Sequence, residues 1–180
     1  MKEFKNILLV SGSGRNIGKT TFACNIINQI KEKGYVIGLK ITPHFHTTGS
    51  NQKLIEEGDG YKIYMETDIE SDKDSSRMLR AGADKVYYVI SDDLNLDRIS
   101  DHLGRLLPAN CAVVCESGSF ANVFKPGLHI LIVGVNTDDS KKSYISNIEK
   151  SDVVINSDVV FNSNITSDFE FTGNHWLRLT

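Results

Sequence analysis

Gly18 is followed directly by Lys19, Thr20 and Thr21, and Gly12 and Gly14 stand a few residues before it. Glycines let a backbone take left-handed φ values and come close to a ligand. Inward-pointing N–H groups, a helix N-terminus and a full charge on Lys19 together make a cradle for phosphate. Arg15, Asn16 and Thr21 belong to the same stretch, and the Thr20 hydroxyl is placed to ligate Mg²⁺. Two more charged residues end apolar runs: Lys40 closes in on the end of Tyr35–Ile41, and Glu116 ends Cys111–Glu116. A carboxylate at the end of a buried strand can hold Mg²⁺ directly or through water, and the metal offsets the cost of a charge in a dry cleft. Lys19, Lys40 and Glu116 are the candidate catalytic residues, with Thr20 and Glu116 as candidate metal ligands. Each has a plainer alternative: Lys40 as a strand-end lysine reaching to water, Glu116 as a turn residue.

The elements that must position these residues follow from periodicity. Ile7–Val10 reads as a buried strand, and Phe22, Ala23, Ile26, Ile27 and Ile30 repeat at helical spacing. Lys31 and Lys33 suit the negative end of that helix, and Gly34 is its expected C-terminal cap. Strand, loop, helix and strand at this spacing form a βαβ unit, which predicts a parallel sheet. Ligands of such sheets bind outside the carboxyl ends of the strands, where Lys40 and Glu116 fall.

Residues 42–50 are a loop in which His44 and His46 flank Phe45. With no cysteine or third histidine nearby in sequence, that loop is expected to line a site rather than to bind zinc. Residues 51–74 are rich in acids and read as an excursion or lid, with a hairpin around Tyr61–Met65. Lys73–Ala83 is a short helix with Asp74 as N-cap and Gly82 at its end. Lys85–Ile90 is a strand, Leu94–Leu107 a helix closed by Pro108, His129–Val135 a strand, and Ser140–Lys150 a helix. Val153–Ile155 is a strand leading to Asn156-Ser-Asp158. The tail folds as two short strands turning at Thr172–Asn174.

Base recognition has two candidates after late strands, Asn136 and the pair Asn156 and Asp158. An asparagine can bond a purine N7 or O6, and an aspartate can accept from the N1–H and exocyclic amine of guanine. The alternative is an ordinary turn.

Composition sets bounds. A chain of 180 residues with 40% hydrophobic content suits one α/β domain across 1–180. A net charge of −3 argues against nucleic-acid binding. No apolar run approaches the ~20 residues of a membrane span. Met1–Lys5 leads straight into a strand, which predicts no signal peptide and a cytoplasmic protein. The three cysteines, Cys24, Cys111 and Cys115, read as buried free thiols rather than a disulfide framework.

The stretch Gly12-x5-Gly18-Lys19-Thr20 resembles a P-loop that is one residue longer than the usual spacing, in which Ser13 would be glycine. Dethiobiotin synthetases, cobyrinic acid synthetases and the MobB family carry loops of this form. Lys73-Asp-Ser-Ser-Arg77 followed by Ala81-Gly-Ala83, and the strand ending in Glu116, are similar to segments of the MobB family. That family supplies the nucleotide-binding proteins of molybdopterin guanine dinucleotide biosynthesis. The resemblance covers most of residues 5–135. There are departures: Ser117 stands for the family's glycine after the acid, and Thr42-Pro-His-Phe-His46 for its histidine segment. The resemblance implies a P-loop NTPase-like three-layer sandwich with a mostly parallel central sheet. It further implies GTP or ATP with Mg²⁺, slow hydrolysis, a homodimer, a partner biosynthetic enzyme, and Asp74–Arg77 near the site. The competing expectation is an ATP-dependent ligase or small-molecule kinase similar to dethiobiotin synthetase, in which the second strand also ends in a lysine, here Lys40.

Overall fold

Strand β1 (Lys2–Gly12) shows how the core is laid out. Side chains alternate across a strand, so Leu8 and Val10 enter one apolar cluster while Ile7 and Leu9 enter another on the opposite face. A strand apolar on both sides belongs inside a parallel sheet covered on both faces. The computed structural model, which describes residues 1–43, 52–91, 94–135, 142–162 and 165–179, has that arrangement.

The further strands of the sheet are β2 (Val36–Thr42), β3 (Gln52–Gly58), β4 (Tyr61–Glu66), β5 (Lys85–Ser91), β6 (Ala112–Glu116), β7 (Phe124–Val133) and β8 (Val153–Asn156). Their order is β3-β4-β5-β2-β6-β1-β7-β8. From β5 to β8 every neighbouring pair is parallel, and the β3–β4 hairpin is added antiparallel at the β5 edge. The fold is therefore α/β with a mostly parallel mixed sheet.

Helices α1 (Lys19–Ile30) and α2 (Asp74–Arg80) cover one face, burying Phe22, Ile26, Ile27 and Met78 against Leu8, Val10 and Val114. On the other face lie α3 (Ser100–Leu106), entered through a 3₁₀ turn at Leu96–Ile99, and α4 (Phe120–Val123). Leu103 and Phe120 pack there against Ile7, Leu9 and Leu39. The chain continues with α5 (Lys142–Lys150) and α6 (Ser157–Asn162), and ends in a small antiparallel pair, β9 (Phe169–Phe171) and β10 (Trp176–Arg178). Among the described residues no helix is long and apolar enough to cross a membrane.

Several expectations need correction. Gly34 does not cap α1; the helix ends at Ile30, and Lys31 in right-handed conformation holds the cap position. Asp74 is not the N-cap of α2 but its first helical residue, and its side chain turns to the site instead. The excursion after residue 51 is largely the β3–β4 hairpin. Asn156-Ser-Asp158 is not a turn: the chain passes straight from β8 into α6. The cysteines are free as expected, with Cys111 and Cys115 buried and Cys24 half-buried. His44, His46 and Asn136 lie outside the described residues.

Candidate functional site

The loop between β1 and α1 is shaped by contacts that its sequence explains. Ser13 is buried; its N–H donates to the Ile132 carbonyl at 3.0 Å, and its hydroxyl accepts from the Gly134 N–H at 3.0 Å. The extra loop residue thus buttons the loop to the end of β7. The aliphatic stem of Lys19 lies over Gly12, where an added Cβ would sit 2.8 Å from Lys19 Cδ. Asn16 has φ 57° and Gly18 φ 96°, the left-handed turns that bring the chain onto α1. At Gly18 a Cβ would also meet Val160 and Phe161 of α6, 3.0 and 3.1 Å away. The Lys19 ammonium donates to the Gly14 carbonyl. Among the described residues no carboxylate is within ion-pair distance of it. Burial holds its pKa below the ordinary lysine value, against the opposite pull of Glu116.

Strand register brings the other charges alongside. Tyr64, Tyr88, Lys40, Glu116 and Val10 are successive cross-strand partners on β4, β5, β2, β6 and β1. Glu116, only 2% exposed, therefore emerges beside the base of the loop, with Lys40 as its neighbour. The Lys40 ammonium is 2.7 Å from Glu116 and 2.6 Å from Asp74. The Thr20 hydroxyl is 2.8 Å from Glu116 Oε2 and 2.9 Å from Asp74 Oδ1. A hydroxyl has one proton to donate, so it satisfies only one of these two oxygens at a time. Burial disfavours the Lys40 charge, yet the charges of Glu116 and Asp74 and their hydrogen bonds outweigh it and raise its pKa. For Asp74 burial works likewise against the charge. The Lys40 ammonium, hydrogen bonds from Lys40 and Thr20, and the Arg77 charge prevail and lower its pKa.

Further buried side chains hold these groups in place. Glu66, buried at the end of β4, accepts from Ser75 Oγ at 2.6 Å, Gln52 Nε2 at 2.6 Å, and the Thr67 and Asp68 N–H groups at 3.1 and 3.0 Å. It ties the start of α2, and with it Asp74, to the hairpin. Because a carboxylate only accepts, the Gln52 amide nitrogen must face Glu66, and Gln52 Oε1 is left buried without a partner among the described residues. Arg77 donates to Thr21 Oγ1 at 3.3 Å. Below the loop, buried His129 of β7 donates from Nδ1 to the Lys150 carbonyl at 3.1 Å, and its Nε2 accepts from Ser11 Oγ at 2.8 Å. Burial keeps that imidazole pKa below the usual histidine value.

These side chains open onto a cavity of about 640 Å³ whose wall includes Arg15, Asn16, Lys19, Thr20, Thr21, Lys40, Asp74, Arg77 and Glu116. Most of the candidates from the sequence thus meet in one place. Gly12 and Gly14 lie in the loop behind Lys19. Asn156 and Asp158 are exposed at the end of β8 and the start of α6, outside the cavity wall, which on that side is formed by Phe161. Gln52, Tyr88 and Phe161 also line the cavity but carry no sequence signal of their own. Among the described residues no three histidine, cysteine or acidic side chains cluster as a metal site. The oxygens of Asp74, Glu116 and Thr20 are instead a hard donor set that suits Mg²⁺, which takes one or two carboxylates and leaves its other positions to water and phosphate.

Comparison with protein-family models, with curated proteins and with solved structures finds no match to this chain.

Proposed function

We propose that this chain is a P-loop nucleotide-binding domain that takes a purine nucleoside triphosphate, GTP by preference, with Mg²⁺. The observation that carries the reading is the single Thr20 hydroxyl shared by Asp74 and Glu116, beside a lysine held on the carbonyl of a glycine loop. Two carboxylates and a hydroxyl meeting at one point are the hard oxygen donors that Mg²⁺ takes. Lys19 is a cation with no carboxylate partner among the described residues, which suits an anionic ligand.

In this reading the residues of the chain divide the work. Loop N–H groups and Lys19 bind the phosphates, and the lysine leaves the Gly14 carbonyl to do so. Thr20, Asp74 and Glu116 would hold Mg²⁺, which when bound offsets phosphate charge. Lys40 positions both carboxylates and faces the terminal phosphate. Hydrolysis is slow, as positioning and charge are the main means of rate enhancement. The resemblance to MobB extends the proposal to an accessory role in molybdenum cofactor biosynthesis or a related pathway, as a homodimer assisting a partner enzyme. A competition series with GTP, ATP and their diphosphates tests it. Triphosphates should displace a labelled nucleotide best and only weakly without Mg²⁺, and a protein that binds none of them does not have this function.

The second reading, a ligase or small-molecule kinase similar to dethiobiotin synthetase, is favoured by one observation. Gln52 Oε1 is buried on the cavity wall beyond Lys40 without a partner among the described residues, and such an orphan costs ~1–3 kcal/mol. A co-substrate with an N–H or O–H donor would satisfy it. Triphosphate turnover that rises with a small amino or hydroxy acid supports this reading, and slow hydrolysis indifferent to such acids supports the first.

A further inference from the structure

Sheet order gives the cavity two unlike ends. The charged residues stand on one side of the loop, with Glu116 on β6 and Lys40 on β2, and Tyr88 follows on β5. On the other side, past β7, the chain leaves β8 directly into α6, and the α6 residue on the cavity wall is Phe161. Phe161 is 59% exposed. One edge of its ring abuts Gly18, since a Cβ there would lie 3.1 Å from Cζ and 3.3 Å from Cε2. An exposed phenylalanine is ordinary by itself. This one is anchored by its edge at the glycine that precedes Lys19, on the wall of the cavity that Lys19 enters.

We propose that Phe161 is the platform on which the nucleobase stacks. The inference rests on the nucleotide reading above and adds the orientation of the ligand. A triphosphate whose terminal phosphate meets Lys40 and the Mg²⁺ that the two carboxylates would hold runs along the loop away from β2. Its nucleoside then emerges on the α6 side. Stacking needs only a π-face, so Phe161 serves guanine and adenine alike. It therefore contributes affinity without base choice. Any preference for GTP comes from elsewhere, with Asn156 and Asp158 standing just before it on the same segment.

The test compares Mg²⁺ complexes of GTP, ATP and inorganic tripolyphosphate by calorimetry on the wild type, Phe161→Ala and Phe161→Trp. Phe161→Ala should weaken GTP and ATP by the same factor, about 5- to 150-fold, the span of base–aromatic stacking, and leave tripolyphosphate unchanged. Phe161→Trp should restore both nucleotides and show indole fluorescence quenching on their addition. Equal losses for all three ligands in Phe161→Ala would make Phe161 a support for Gly18 and overturn the inference. So would undiminished GTP and ATP affinity. A Tyr88→Leu variant that loses the nucleotide increment while Phe161→Ala keeps it would place the base at the other end of the cavity and overturn it too. Failure of all three ligands to bind the wild type would instead overturn the nucleotide reading itself.

Discussion

The Thr20 hydroxyl lies 2.8 Å from the Glu116 carboxylate, 96 residues away in the chain. Helix α1 and strand β6 meet at that bond, and the proposed Mg²⁺ site is built on it. Glu116→Gln keeps the shape of the side chain and removes its charge. Bonds to charged groups contribute ~1.5–3 kcal/mol, so Mg²⁺-dependent GTP affinity should fall about tenfold or more. Affinity without Mg²⁺ should change much less. Calorimetric titrations with and without Mg²⁺ separate the two, and equal losses would make Glu116 a structural residue.

Lys40 bridges Asp74 and Glu116 at 2.6 and 2.7 Å. Lys40→Met leaves both carboxylates around one hydroxyl proton with no cation between them. Removing one member of a buried ion pair costs on the order of 3 kcal/mol, so thermal unfolding without metal should move to lower temperature. Mg²⁺ should recover part of this, raising the melting temperature of the variant by more than that of the wild type. No rise in melting temperature with Mg²⁺ in either protein would show that no cation enters between these carboxylates.

His129 sets a pH dependence. Burial lowers its folded pKa below the ordinary histidine value of 6.5, while the hydrogen bond to the Lys150 carbonyl and the Asp152 charge oppose that shift. Between the two values the unfolded chain binds the proton and the folded chain does not, so stability rises with pH. The contribution is present above pH 6.5 and is lost as pH falls through the folded value. Denaturant unfolding of the wild type and of His129→Gln should therefore differ most above pH 6.5 and converge toward acid. A constant difference across that window would mean that His129 does not titrate with folding.

The strands and helices closest to the site were the most legible in sequence. Ile7–Val10, Tyr35–Ile41 and Cys111–Glu116 are apolar on both sides, as the centre of a parallel sheet demands, and the glycines and Lys19 mark the loop between them. Lys40 and Glu116 could be placed at strand ends, but their contact depends on register between strands 76 residues apart in sequence. Strand β3 was not legible: Gln52-Lys-Leu-Ile-Glu-Glu-Gly58 is an edge strand, mostly exposed, with a bulge between Leu54 and Glu56 that breaks its alternation. Asp74 was misjudged because an aspartate before a helical stretch ordinarily caps it. Here the neighbouring Lys40 and Thr20, contributed by β2 and α1, draw the carboxylate away. Helix α6, six residues long, is too short for periodicity to show, so Asn156–Asp158 read as a strand exit with base-reading chemistry or an ordinary turn, and neither Phe161 nor the helix was legible.

The most direct test of the account is a calorimetric titration of the wild type and of Lys19→Ala with GTP in the presence of Mg²⁺, with circular dichroism of both proteins. The Lys19 ammonium is the full positive charge at the start of α1, and its bond to the Gly14 carbonyl is the one that phosphate would replace. Saturable binding to the wild type is expected, with no detectable binding to a Lys19→Ala protein that is still folded. Equal affinity in the two proteins would rule out phosphate binding at this loop.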